Sequence, residues 1–186
     1  MDSFLFAFAA VLLLSIGGRD QIMVARFSAK LGQSGALLAV AVLVSVASAG
    51  VMAYAGAHIA VLLPVPAQHM LIAIALAIAA LELFWPVRLR EATEPTRSLG
   101  AIGIVLFARQ LGDAARFAVF AFAAATVLAP LAWLGGALGG AGAMLLAWTL
   151  QGELEERFPL RRVRIALGIV VLLIAAWIAL SARGAV

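Results

Sequence analysis

Long apolar runs alternate along this chain with short polar interruptions, and the runs exceed the usual helix length of a soluble domain. About 20 consecutive apolar residues carry a helix across a bilayer. Six such stretches can be read, at about residues 4–25, 35–57, 68–85, 99–122, 127–150 and 163–182. The second holds no Asp, Glu, Lys, Arg or His and is the cleanest. The first is interrupted by Gly17-Gly18-Arg19-Asp20-Gln21, and the fourth by Arg109-Gln110-Leu111-Gly112-Asp113 and by Arg116. Only Thr126 and Pro130 mark the turn between the fourth and fifth. The pattern predicts an all-α integral membrane protein with six transmembrane helices. Met1-Asp2-Ser3 lacks the positive n-region of a signal peptide, so the first stretch is read as a retained span.

Composition narrows the class further. The 186 residues are 66% apolar and 12% charged, with a mean hydropathy of +1.14. Soluble domains run nearer about 45–50% apolar and about 25% charged. Nine acids and thirteen bases cannot cover a surface facing water, and the absence of cysteine rules out a disulfide scaffold. The pI of about 11.0 rests on a net charge of only +4, which marks topology and implies no nucleic acid.

The distribution of the basic residues tests the span count. The ends following spans one, three and five carry Arg26, Lys30, Arg88, Arg90, Arg97, Arg157, Arg161, Arg162 and Arg164, whereas the opposite side carries only Arg183. Cytoplasmic loops collect Lys and Arg. This places both termini outside the cytoplasm, as in a multi-pass protein of a bacterial inner membrane. Tyr54, Trp85, Trp133 and Trp148 fall near span ends, as interfacial aromatic residues do.

The two interrupted spans suggest a duplication. Gly17 and Gly112 lie 95 residues apart, as do Pro64 and Pro159. A repeat of three spans has an odd number of crossings, so the second copy is inverted relative to the first. The expected organisation is a first three-helix repeat over residues 1–87, a linker over 88–98 and a second repeat over 99–186. At 1.5 Å per residue each break lies roughly 20 Å from the start of its span, close to the midplane of a core about 30 Å thick. Broken helices of inverted repeats that meet at midplane are a recurring plan for transporter sites.

The residues at the breaks carry a resemblance. Ser15-Ile16-Gly17-Gly18-Arg19-Asp20-Gln21 and Gln110-Leu111-Gly112-Asp113-Ala114-Ala115 stand where the transmembrane protein 165 family has Glu-x-Gly-Asp-(Lys/Arg)-(Thr/Ser). The chain resembles that family over nearly its whole length. The resemblance implies six spans in two inverted repeats and transport of calcium or manganese, in exchange for protons. It departs from the motif at Ser15 and Gln110, which replace Glu, and at Gly18, which replaces Asp. Asp20 replaces the hydroxyl residue, and Ala114 and Ala115 replace the basic and hydroxyl residues of the second copy. Asp113 is the one family carboxylate in register.

The expected transport site therefore comprises Ser15, Gly17, Gly18, Arg19, Asp20, Gln21, Arg109, Gln110, Gly112, Asp113 and Arg116, with Asp113 and Gln110 as cation ligands. Hard divalent cations take six or more oxygens, usually including carboxylates. Ionisable groups inside a span are costly and default to a functional reading. Their structural alternatives are specific. Arg19 and Arg116 sit where snorkelling to an interface is expected. Arg109 and Asp113 are spaced to share one helix face. Cross-repeat pairs, Arg19 with Asp113 and Asp20 with Arg109 or Arg116, would satisfy them all. Gly135, Gly136, Gly139 and Gly140 form overlapping small-xxx-small pairs that suit close helix packing. His58 and His69 are read as loop residues and Glu82 as an interface residue. No nucleophile triad, zinc spacing, P-loop or dinucleotide motif is present. The expectation is thus no enzyme and no cofactor, with the lipid bilayer and a small cation or solute as partners; homo-oligomerisation stays open. Two rival readings stand: a small-solute or amino-acid exporter resembling the lysine-exporter group, and a non-transporting scaffold subunit.

Overall fold

A computed structural model describes residues 2–87 and 98–184. The described residues fold into helices α1 (Asp2–Leu14), α2 (Arg19–Leu31), α3 (Gly35–Ala60), α4 (Val65–Phe84), α5 (Leu99–Leu111), α6 (Ala114–Ala125), α7 (Ala129–Leu150), α8 (Glu153–Arg157) and α9 (Leu160–Ala182), without a strand. By length and composition α3, α4, α7 and α9 can each cross a membrane. The pair α1 and α2, bent by 64° at the Gly17 break, makes a fifth if taken as one span. At 13 and 12 residues, α5 and α6 are individually short of a bilayer's thickness. The architecture is that of a multi-pass all-helical membrane protein. The expected linker over 88–98, with Arg88, Arg90 and Arg97, lies outside the described residues except for Ser98.

Local chemistry sets the helix ends. Gly17 takes φ +70° and Gly32 φ +71°, left-handed conformations that glycine adopts without a Cβ penalty. Pro64 and Pro66 open α4, and Pro130 sits in the first turn of α7, where a missing N–H costs nothing. The turn at Thr126 is closed by its hydroxyl, which accepts from the Leu128 N–H at 3.1 Å and the Ser3 hydroxyl at 3.2 Å. The charged segment after α7 contains the short helix α8, an element the apolar pattern does not announce.

The halves repeat one order: short helix, break, short helix, then long helices. α2 and α6 begin 95 residues apart, and so do α4 and α9. Packing partners are exchanged between the halves. α1 and α2 lie on α7, while α5 and α6 lie on α3; α3 also packs on α7, and α4 on α9. Small residues make the closest approaches possible. A Cβ on Gly135 or Gly139 would collide with the backbone carbonyls of Phe4 or Phe8 in α1, and one on Gly136 would collide with Val119 in α6. The glycine pattern of α7 is thus a packing feature, and it holds both α1 and α6 against α7.

Candidate functional site

The two breaks meet. Gly18 caps α2 with an extended backbone, and Asp113 caps α6, its Oδ2 accepting the Ala115 N–H at 3.2 Å. A Cβ built on Gly18 would stand 2.7 Å from Asp20 Oδ1 and 3.5 Å from Asp113 Oδ1. The carboxylates of the two breaks therefore both approach the space beside a single glycine. Asp20 Oδ1 accepts the Gln21 N–H at 2.8 Å, so each carboxylate also satisfies an amide in the first turn of its helix.

These groups line a cavity of about 620 Å³. Arg19, Asp20, Glu82, Arg109, Gly112 and Asp113 form its polar wall, and Ile104, Val105 and Ala108 of α5 complete it. Asp20 and Asp113 are buried, while Arg109 on the α5 side is exposed. Among the described residues, no three of His, Cys, Asp and Glu stand close enough to hold a metal ion.

Several expected site residues go elsewhere. Arg116 is 1% exposed and does not snorkel. Its Nε donates to Ser48 Oγ at 2.7 Å, and its Nη2 to Ser45 Oγ at 2.8 Å and Gln110 Oε1 at 3.1 Å. Gln110 is held there, since its Oε1 also accepts the Ser48 hydroxyl at 2.7 Å; it is absent from the cavity wall that carries Asp113. Gly140 of α7 leaves the space for this cluster, since a Cβ there would fall on Ser45 Oγ and within 2.9 Å of Arg116 Nη2. Gln21 ties the first break to α7: its Oε1 accepts the Gly17 N–H at 2.8 Å, and its Nε2 donates to the Ala143 carbonyl at 3.2 Å. Ser15 is buried, and its carbonyl accepts the Gly18 N–H at 3.0 Å.

The expected ion pairing changes as well. Arg109 and Asp113 do not share a helix face, because α5 ends at Leu111 and Asp113 starts the next helix. None of the cross-repeat pairs forms at ion-pair distance among the described residues. The buried ion pair is Arg164 with Glu82, at 2.9 Å. Arg164 lies inside α9 rather than in the preceding loop, and Glu82, in the last turn of α4, is its mostly buried partner. His58 and His69 likewise belong to α3 and α4.

Sequence reading did not single out Ser45, Ser48 or the Glu82–Arg164 pair. The serines were detectable: three residues apart, they place two hydroxyls on one face of an otherwise apolar span. No sequence signal links positions 82 and 164.

No family model, curated protein or solved structure matches this chain. The geometry alone defines the site: a mixed-charge cavity where the α1–α2 break meets the junction of α5 and α6, in a multi-pass helical protein.

Proposed function

We propose that the chain is a transporter of the transmembrane protein 165 type, with six spans in two inverted three-helix repeats and both termini outside the cytoplasm. The cargo is a divalent cation of the calcium or manganese class, exchanged for protons. The observation that carries this reading is the meeting of the breaks, which brings Asp20 and Asp113 together beside Gly18 on the wall of one cavity. The exchanged packing partners of the two halves support the repeat, with α5 and α6 together forming the broken fourth span. Asp113 is the principal cation ligand and Asp20 its partner from the other repeat. A cavity of about 620 Å³ accommodates a cation that keeps part of its water shell.

A second reading is favoured by Arg19 and Arg109 on the same wall. Two guanidinium groups facing two carboxylates suit a zwitterionic solute, whose carboxylate the arginines hold. Flux in reconstituted vesicles separates the two. Manganese or calcium flux that falls by about tenfold or more in Asp113→Asn supports the cation. Wild-type vesicles that move neither cation sink it. Uptake of an amino acid that Arg109→Gln abolishes would then establish the solute reading.

A further inference from the structure

We propose that the Glu82–Arg164 pair is the barrier between two halves of one conduction path, and that the Gly17–Gly18 break couples this barrier to the carboxylate site. The proposal rests on the transporter reading above. Glu82 lines the carboxylate cavity, whereas Arg164 lines a second cavity of about 620 Å³, which opens among Pro86, Phe158, Arg161 and Arg162. Neither wall contains both partners. The pair therefore stands where the two cavities would join.

Its bonding is not that of a finished staple. The Arg164 side chain is 2% exposed and that of Glu82 12%. A buried guanidinium that only holds two helices together favours the two-pronged contact with carboxylate, which uses two of its nitrogens. Here Nη2 alone contacts both Glu82 carboxylate oxygens, at 2.9 and 3.0 Å, and the Glu82 carbonyl at 3.0 Å. Arg164 Nε and Nη1 are buried without a partner. Unpaired buried donors are unfavourable, so a second position of the side chain that engages them lies within reach of this state. The second cavity supplies an acceptor for it, the Glu155 carboxylate, now paired with Arg26 at 2.7 Å.

Coupling follows from the two glycines. A Cβ on Gly17 would stand 3.3 Å from Arg164 Cδ and 3.1 Å from Leu160 Cβ, and Gly17 holds φ +70°. At the next residue, Gly18, a Cβ would press on Asp20 Oδ1 at 2.7 Å and reach Asp113 Oδ1 at 3.5 Å. Consecutive glycines thus leave room for the barrier on one side and for the carboxylates on the other, where any side chain at either position would press on them. Drawing Asp20 and Asp113 together around a cation moves the segment on which the Arg164 stem rests.

The chain has no cysteine, so a single introduced thiol reports access without background. Ala108→Cys places it on the wall of the carboxylate cavity. In vesicles of defined orientation, a membrane-impermeant thiol reagent is applied from the face that carries Arg161 and Arg162. A minor open state populated at about 0.1–10% leaves room for a large increase. Adding Arg164→Gln or Glu82→Gln is expected to raise the labelling rate by about tenfold or more. Each single change leaves one buried charge alone, which can impair folding. The double change Glu82→Gln with Arg164→Met removes both charges and carries the same expectation. Labelling that stays within about twofold of the parent, in protein that remains monodisperse, overturns the barrier. A lower melting temperature without faster labelling overturns it equally, since that is the signature of a staple. Labelling needs no cargo, so a failed cation assay and a failed barrier are separate results.

Discussion

Arg116 offers the sharpest test of how this bundle holds charge. A snorkelling arginine tolerates lysine, because either cation reaches water along an apolar stem. The structure predicts the opposite order of effects. Arg116 is 1% exposed, and its donors are divided among Ser48 Oγ, Ser45 Oγ and Gln110 Oε1 at 2.7, 2.8 and 3.1 Å. A lysine amine is a single point donor on a shorter reach and cannot span these acceptors. It keeps a buried charge while losing most of its hydrogen bonds, a change that costs about 3–5 kcal/mol. Methionine fills similar volume and removes the charge altogether. It leaves Ser45 Oγ without its donor and Gln110 with one bond fewer, at a cost of about 1–3 kcal/mol. For a chain of this size 1 kcal/mol corresponds to about 2–4 °C. Arg116→Lys should therefore lower the melting temperature of the purified protein by on the order of 10 °C, and Arg116→Met by less. A lysine variant melting within about 2 °C of wild type, or below the methionine variant in stability loss, would refute the buried-cluster account.

The glycines give two internal controls. Gly139→Ala should cost about 1–3 kcal/mol in melting experiments, because its Cβ collides with the Phe8 carbonyl. Gly142→Ala meets only the tip of Leu12 at 3.3 Å and should be neutral or stabilising. Gly17→Ala combines a left-handed backbone, which costs about 1–2 kcal/mol, with contacts at 3.1 and 3.3 Å. Gly112, at φ −96° with open space around it, should accept alanine within about 0.5 kcal/mol. Equal effects at Gly17 and Gly112 would contradict the asymmetry of the two breaks.

Most of the helical framework was legible, because membrane helices announce themselves by length and hydropathy. The charge-free stretch around residues 35–57 is α3, and the Gly17 break divides α1 from α2. The junction of the breaks was legible too, since depth along a helix is simple arithmetic. What could not be read is which polar groups would meet. Gln110 and Asp113 are three residues apart, yet the break at Gly112 sends one to Arg116 and the other to the cavity. Periodicity assumes a continuous helix, and it fails at the residues where the helix stops. A place near a span end predicts an interface residue at Glu82 and a basic loop residue at Arg164. Their burial depends on the packing of α4 on α9, and a linear hydropathy pattern does not contain that contact.

The placement of Arg116 bears on whether the carboxylates form a site or a staple. A bundle that only needed its charges neutralised would set Arg116 directly against Asp113 or Asp20, since a paired charge is less costly in a low-dielectric interior. Instead Arg116 is satisfied by neutral oxygens of Ser45, Ser48 and Gln110, in a closed cluster between α3 and α6. Arg164 is likewise engaged with Glu82. Asp113 commits Oδ2 to Ala115, and Asp20 commits Oδ1 to Gln21. Each carboxylate therefore retains a second oxygen that no helix cap claims. The nearby guanidinium groups of Arg116 and Arg164 are bonded elsewhere and form no ion pair with either acid among the described residues. That separation leaves one oxygen of each carboxylate outside the helix caps, as the proposed transport role requires and a staple does not.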